Sequence, residues 1–183
     1  MDAVAAGLLL AAGAGRRYGM PKALVGDGAW LRGSVGVLAE AGCDPVVVVL
    51  GAAADRAAPL VPAGAGVVVA ADWEEGMGAS LRAGLAALTQ GAVEAALVHL
   101  VDLPDVGVDV IRRVAAAASP DVVARAAYDG RAGHPVVIGR EHWGEVVGGA
   151  LGDKGARDWL AGRADLVLVD CTDLATGVDV DRP

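Results

Sequence analysis

Unbroken apolar runs of four to eight residues alternate along the chain with longer stretches whose apolar side chains recur every three or four positions. The runs at Val4–Leu10, Pro45–Leu50, Gly66–Ala70 and Ala95–Val101 read as strands, with Asp121–Ala127, Pro135–Ile138 and Asp165–Val169 as later ones. A strand buried on both faces needs no polar alternation, so such runs predict the interior of a helix-covered sheet. Between them, Leu31, Val35 and Leu38 share one helical face, and Gly42 stops that helix. Met77, Leu81, Leu85 and Leu88 form a second stripe, assigned to the core, and Asp109–Ala118 is a third helix closed by Ser119-Pro120. Strand–helix alternation of this kind predicts an α/β fold: a mostly parallel sheet with helices on both faces and right-handed crossovers. The polar, Gly-containing segment Tyr128–Gly133 predicts a small antiparallel hairpin extension. No repeat or low-complexity linker divides the chain, so residues 1–183 read as a single domain.

Composition narrows the functional classes. Hydrophobic residues make up 55% of the chain, which excludes a disordered segment. The longest apolar stretches, such as residues 45–54, fall short of the ~18 residues a membrane span needs. At the N-terminus an acid comes first and Arg16-Arg17 follow the apolar run, the reverse of a secretory signal. Cys43 and Cys171 have no motif spacing and read as buried thiols of a reducing, cytoplasmic protein. The net charge of -8 argues against nucleic acid or an anionic membrane as partner, so an anionic ligand requires a local basic pocket. The chain has 39 Ala, 29 Val and 27 Gly and no Phe or Asn. Of 15 basic residues, 13 are Arg, and the two lysines, Lys22 and Lys154, stand out against that skew.

In sheets of this type ligands sit beyond the carboxyl ends of the strands. The loop after the first strand reads LLLAAGAGRRYGMPKAL (8–24). Gly13 and Gly15 let backbone N–H groups approach an anion, while Arg16, Arg17 and Lys22 can neutralise phosphate oxygens. The spacing is not G-x-G-x-x-G, and Lys22 lacks the Gly before and the Ser or Thr after that a P-loop requires. Taken alone, the loop also reads as a Gly-rich turn with solvated arginines. LAAGAGRRYGMPK closely resembles the signature L-A-[AG]-G-x-[SG]-x-R-[MF]-G-x-x-K of nucleotidyltransferases of the molybdenum-cofactor type.

Four further segments follow the order of that family. ALVHLVDLP (96–104) ends a strand at Asp102, a natural Mg²⁺ ligand by position and equally an N-cap for the next helix. It resembles the family's acid-x-Pro, with Leu103 where Gln or Met is usual. VDVDRP (178–183) resembles D-x-D-T-P, which makes Asp181 the second metal ligand, although Arg182 replaces Thr and an acidic solvated tail is the alternative. DWEEGMGASLRAG (72–84) resembles E-G-[ML]-x-x-S-[LI], in which Gly76 and Ser80 approach the nucleotide. RAGHPVVI (131–138) and LGDKGARDWL (151–160) resemble G-x-x-G-H-P and G-D-x-G-A-R; they assign His134, read on a tight turn, together with Lys154 and Arg157 to the acceptor side. His99 and His142 match nothing.

The resemblance implies a Rossmann-like fold and transfer of a nucleotidyl group from a nucleoside triphosphate to a phosphate, with release of pyrophosphate. Such an acceptor, with a second pKa of ~6, is already ionised, so no Ser-His-Asp or Cys-His constellation is needed. It implies nucleotide contacts at Leu10, Ala11, Ala12, Gly13, Gly15, Arg16 and Lys22, a catalytic role for Arg16, Lys22 and Asp102, and Mg²⁺ on Asp102 and Asp181. L-A-A-G, through Ala12, is nearer the cytidylyl-transferring branch, which points to CTP, a molybdopterin cofactor as acceptor and a molybdoenzyme as partner. A GTP-using or sugar-phosphate-type transferase is the runner-up. A non-catalytic nucleotide-binding or cofactor-insertion protein of the same fold is a further alternative, supported by Arg182.

Overall fold

The computed structural model describes residues 5–149 and 155–183. Seven strands form one sheet: β1 Ala5–Ala11, β2 Val46–Leu50, β3 Gly66–Val69, β4 Ala95–Leu100, β5 Val123–Tyr128, β6 Arg131–Gly139 and β7 Val167–Asp170. Their spatial order is β3-β2-β1-β4-β6-β5-β7. Every pairing is parallel except those of β6 with β4 and with β5. The expected antiparallel hairpin is present and is built into the sheet interior. Its turn places Asp129 and Gly130 at φ 49° and 76°, the double positive φ of a type I′ connection. β6 runs on through the polar residues Arg131–His134, so His134 lies in a strand and not on the tight turn.

The helices are α1 Ala29–Glu40, α2 Ala54–Ala57, α3 Met77–Leu88, α4 Val108–Ala115, α5 Trp143–Gly149 and α6 Arg157–Ala161. Leu31, Val35 and Leu38 of α1 and Ile111 and Val114 of α4 pack with Leu9, Val48 and Leu97 on one face of the sheet. Leu81, Leu85 and Leu88 of α3 and Trp143 and Val146 of α5 pack with Leu8, Val49 and Val98 on the other. Neighbours such as Leu8 and Leu9 thus serve opposite cores, as the two-residue period of a strand demands. Burying each such leucine contributes about 1.5–3 kcal/mol, which is why the central strands carry no polar alternation.

Two expectations about burial need correction. β3 and β7 read as strands buried on both faces, yet Val69 is 55% and Leu168 51% exposed. They are the two sheet edges, and each lacks a covering neighbour on one side. Met77 was placed in the core stripe, but it sits at the first turn of α3, half-exposed at the mouth of a cavity. Among the described residues no helix is long and apolar enough to cross a membrane.

After β7 the chain returns across the carboxyl ends of the central strands. The Cys171 amide donates to Ala127 O (2.9 Å), the Thr176 amide to Asp105 (2.8 Å) and the Val180 amide to Asp102 O (3.0 Å). This strap delivers the last acidic residues to the end of β4.

Candidate active site

The carboxyl ends of β1 and β4, the loop after β1 and the start of α3 enclose a cavity of about 480 Å³. The β1 loop forms its floor from Leu10 to Arg17 and contributes Lys22. Gly15 has φ +62°, and a Cβ there would lie 1.8 Å from the Met20 carbonyl oxygen, so the loop closes only with glycine. The Gly19 amide donates to Gly15 O (2.8 Å) and completes the turn that carries Arg16 and Arg17. Gly51, after β2, sits against Trp73 and Ala12, where a Cβ would come within 2.5 and 2.9 Å. That close approach brings the turn Trp73–Glu75 onto the loop as the cavity wall. Gly76 caps α3, and Met77 and Ser80 of its first turn complete the opposite side.

Acidic groups meet a cation in this cavity. Lys22 Nζ donates to Asp102 Oδ2 at 2.7 Å and to Asp181 Oδ1 at 3.0 Å, and Arg17 donates to Asp181 Oδ2 at 3.2 Å. Carboxylate oxygens of Asp102, Asp179 and Asp181 all lie within 4.8 Å of one another. Asp102 does not cap the following helix, whose N-cap is Gly107. Burial lowers the Lys22 pKa, but its bonds to Asp102 and Asp181 and their charges outweigh that and leave it above the usual lysine value. The Lys22 hydrogen bond holds Asp181 below the ordinary carboxylate range. Asp179 lies above that range, through burial and then the Asp181 charge.

These oxygens are hard donors of the kind Mg²⁺ and Mn²⁺ prefer, and the Lys22 ammonium already stands on two of them as a cation. The residues therefore fit a divalent cation. Arg16 lines the same cavity and has no ion-pair partner among the described residues. The result is a basic loop in direct contact with a carboxylate cluster, both lining a space of nucleotide size.

The structure brings Leu10, Ala11, Ala12, Gly13, Gly15, Arg16, Lys22, Gly76, Ser80, Asp102 and Asp181 to this one cavity. His134 and Arg157 do not line it, and Lys154 lies outside the described residues. Asp179 joins the cluster as a third carboxylate, a position signalled only by its two-residue spacing from Asp181. Arg17 reaches Asp181 and Trp73 walls the cavity; neither role is visible without the fold.

Comparison with known proteins matches residues 7–167 to the model of the MobA-like NTP transferase domain. Nicotine blue oxidoreductase of Paenarthrobacter nicotinovorans is 40% identical over 190 residues, spanning 96% of this chain and 91% of that protein. Rv0371c of Mycobacterium tuberculosis H37Rv, solved in complex with manganese, is 27% identical at a TM-score of 0.76, over 97% of this chain and 94% of that one. A nucleotidyl transferase from Methanothermobacter superposes at a TM-score of 0.82 with 21% identity, over 98% and 92% of the two chains, a likeness of fold.

Proposed function

This chain belongs to the MobA-like NTP transferase domain family, and we propose that it transfers a cytidylyl group from CTP to the phosphate of a molybdopterin-type acceptor, in a Mg²⁺-dependent reaction releasing pyrophosphate. The supporting observation is the convergence of Lys22, Asp102 and Asp181, separated by 80 and 159 residues, on a cavity floored by the Gly-rich loop.

The chemistry asks an anion to attack a polyanion. An acceptor phosphate oxygen forms a bond to the α-phosphorus, the bond from that phosphorus to the bridging oxygen of the β-phosphate breaks, and pyrophosphate leaves with the electron pair. No proton need be removed from the nucleophile at neutral pH. The loop amides around Gly13 and Gly15, with Arg16, hold the β- and γ-phosphates and stabilise charge growing on the leaving group. Lys22 serves the same charge once the phosphates arrive. Asp102 and Asp181, with Asp179, would hold the metal, which would supply positive charge to offset the repulsion between the two anionic reactants. Ser80 at the start of α3 donates to a phosphate or the ribose. Cytosine is assigned through Ala12 in L-A-A-G, and Arg157, Lys154 and His134 are assigned to the acceptor side.

The experiment is pyrophosphate release with each of CTP, GTP, ATP and UTP, with and without Mg²⁺, in the presence of molybdopterin cofactor. CTP- and metal-dependent release supports the proposal; release with GTP alone reassigns the nucleotide. A second reading rests on the 40% identity to a nicotine blue oxidoreductase: a redox reaction in the same cavity. The same preparation, supplied with a chemical reductant, should then speed reduction of nicotine blue over the reductant alone and release no pyrophosphate.

A further inference from the structure

Beyond the cavity wall, on the β5–β6 side, lies a group that the chemistry above does not use. Arg125 of β5 is half-buried, and its Nε donates to Gly133 O at 3.0 Å. That is one of five guanidinium donors, and no carboxylate among the described residues pairs with it. Arg140 shows what a structural guanidinium looks like in this molecule. It donates to the carbonyls of Thr89, Gly91 and Val93 and lies 5.3 Å from the Trp143 ring centroid.

Strand register says where Arg125 leans. Arg125 pairs with Val136, and Val136 with Val98 of β4. β6 runs antiparallel, so Gly133 lies toward the carboxyl ends of β4 and β5, where Leu100 and Asp102 line the cavity. The guanidinium is drawn to that end of the sheet. His134 lies within its electrostatic reach: burial, then the Arg125 charge, then His99 hold the His134 imidazole down to about 3. A half-buried, unpaired guanidinium beside a neutral imidazole is costly to keep unless an anion completes it.

We propose that Arg125 binds an anionic group, a phosphate or carboxylate, of the acceptor, holding it on the β5–β6 side of the nucleotide cavity without touching the nucleotide. This rests on the nucleotidyl-transfer reading. Arg125 is a specificity-determining residue in that scheme.

The test titrates phenyl phosphate into the full-length wild-type protein and into Arg125→Met and Arg125→Lys, followed by the NMR resonances of isotope-labelled protein. CTP with Mn²⁺ is titrated separately by calorimetry. Losing charge-assisted hydrogen bonds should weaken phenyl phosphate binding about ten-fold or more in Arg125→Met, with partial retention in Arg125→Lys. CTP affinity should change less than about two-fold, as expected of a contact that only the acceptor makes. With acceptor present, KM for it should rise while kcat holds. Equal phenyl phosphate affinity in wild type and both variants, absence of any such binding in wild type, or a parallel loss of CTP affinity each overturns the proposal. Arg125→Lys serves as the folded comparison should Arg125→Met lose structure. Failure of wild type to bind any of CTP, GTP, ATP and UTP with Mn²⁺ overturns the nucleotidyl-transfer reading instead, and the phenyl phosphate arm still reports on Arg125.

Discussion

Replacing Lys22 by Met keeps the stem of the side chain and deletes the cation that joins Asp102 to Asp181. The Lys22 and Asp102 side chains retain 15% and 17% of their exposure, so their 2.7 Å contact is largely desolvated. A hydrogen bond between charged groups in such a setting contributes about 1.5–3 kcal/mol. The Asp181 side chain is 40% exposed, and its contact adds less than about 1 kcal/mol after screening. A loss of about 2–4 kcal/mol at pH 8 lowers the melting temperature of a chain this size by roughly 5–15 °C. The pH dependence carries the sign of the effect. In the parent, Asp181 has a depressed pKa, so its stabilisation is present above the unfolded carboxylate value and fades only as pH falls through the folded one. In the variant the carboxylates face one another with only the exposed Arg17 guanidinium left on Asp181, and protonation relieves the repulsion. The gap between parent and variant should therefore narrow from pH 8 to pH 5, and it should narrow at pH 8 on adding millimolar Mg²⁺. Differential scanning calorimetry of both proteins across that grid measures it. A gap that is absent, or indifferent to both pH and Mg²⁺, would refute the electrostatic account of the cluster.

Other predictions concern the same elements. Asp102→Asn should cut pyrophosphate release from CTP by on the order of 10²–10³ while circular dichroism stays unchanged, measured in a coupled phosphate assay. Gly15→Ala places a methyl 1.8 Å from a backbone oxygen at φ +62°, so it should cost at least about 1–2 kcal/mol in urea unfolding and weaken CTP binding. Burial holds His99 at about 4, and burial with Arg125 and His99 holds His134 at about 3, both below the unfolded value of about 6.5. Between those values the unfolded chain takes up more protons. Stability should fall as pH drops from 6.5 toward 4, by about 1.4 kcal/mol per pH unit for each histidine. Replacing His99 with Gln should flatten that slope, as urea titrations at several pH values will show.

Most strands were legible because burial on both faces writes continuous apolar runs into β1, β2 and β4. The same signal overstated β3 and β7, since an apolar run does not reveal whether its strand has one neighbour or two. Met77 misled in a similar way: it keeps helical spacing with Leu81 and Leu85, but as the first residue of α3 it projects past the core to the cavity. Asp179 lay beside the expected ligand and became part of the cluster through the path of the strap. Arg125 had no signal at all, because it stands in a strand segment that reads as apolar.

Local sequence was sufficient for the α/β alternation, the Gly-rich basic loop from Leu10 to Lys22, and Asp102 just past a strand end, because periodicity and turn chemistry act over a few residues. Its charge pattern also showed that an acidic chain carries one basic loop. Folding added the strand order with β6 inserted between β4 and β5, and it joined Lys22 to carboxylates 80 and 159 residues away. The same strand order put Gly133 at the cavity end of the sheet, where the Arg125 Nε reaches its carbonyl. These are relations between distant segments, set by which strands pair and in what register, and pairing is chosen by the burial of whole faces, not by any residue's neighbours in the chain.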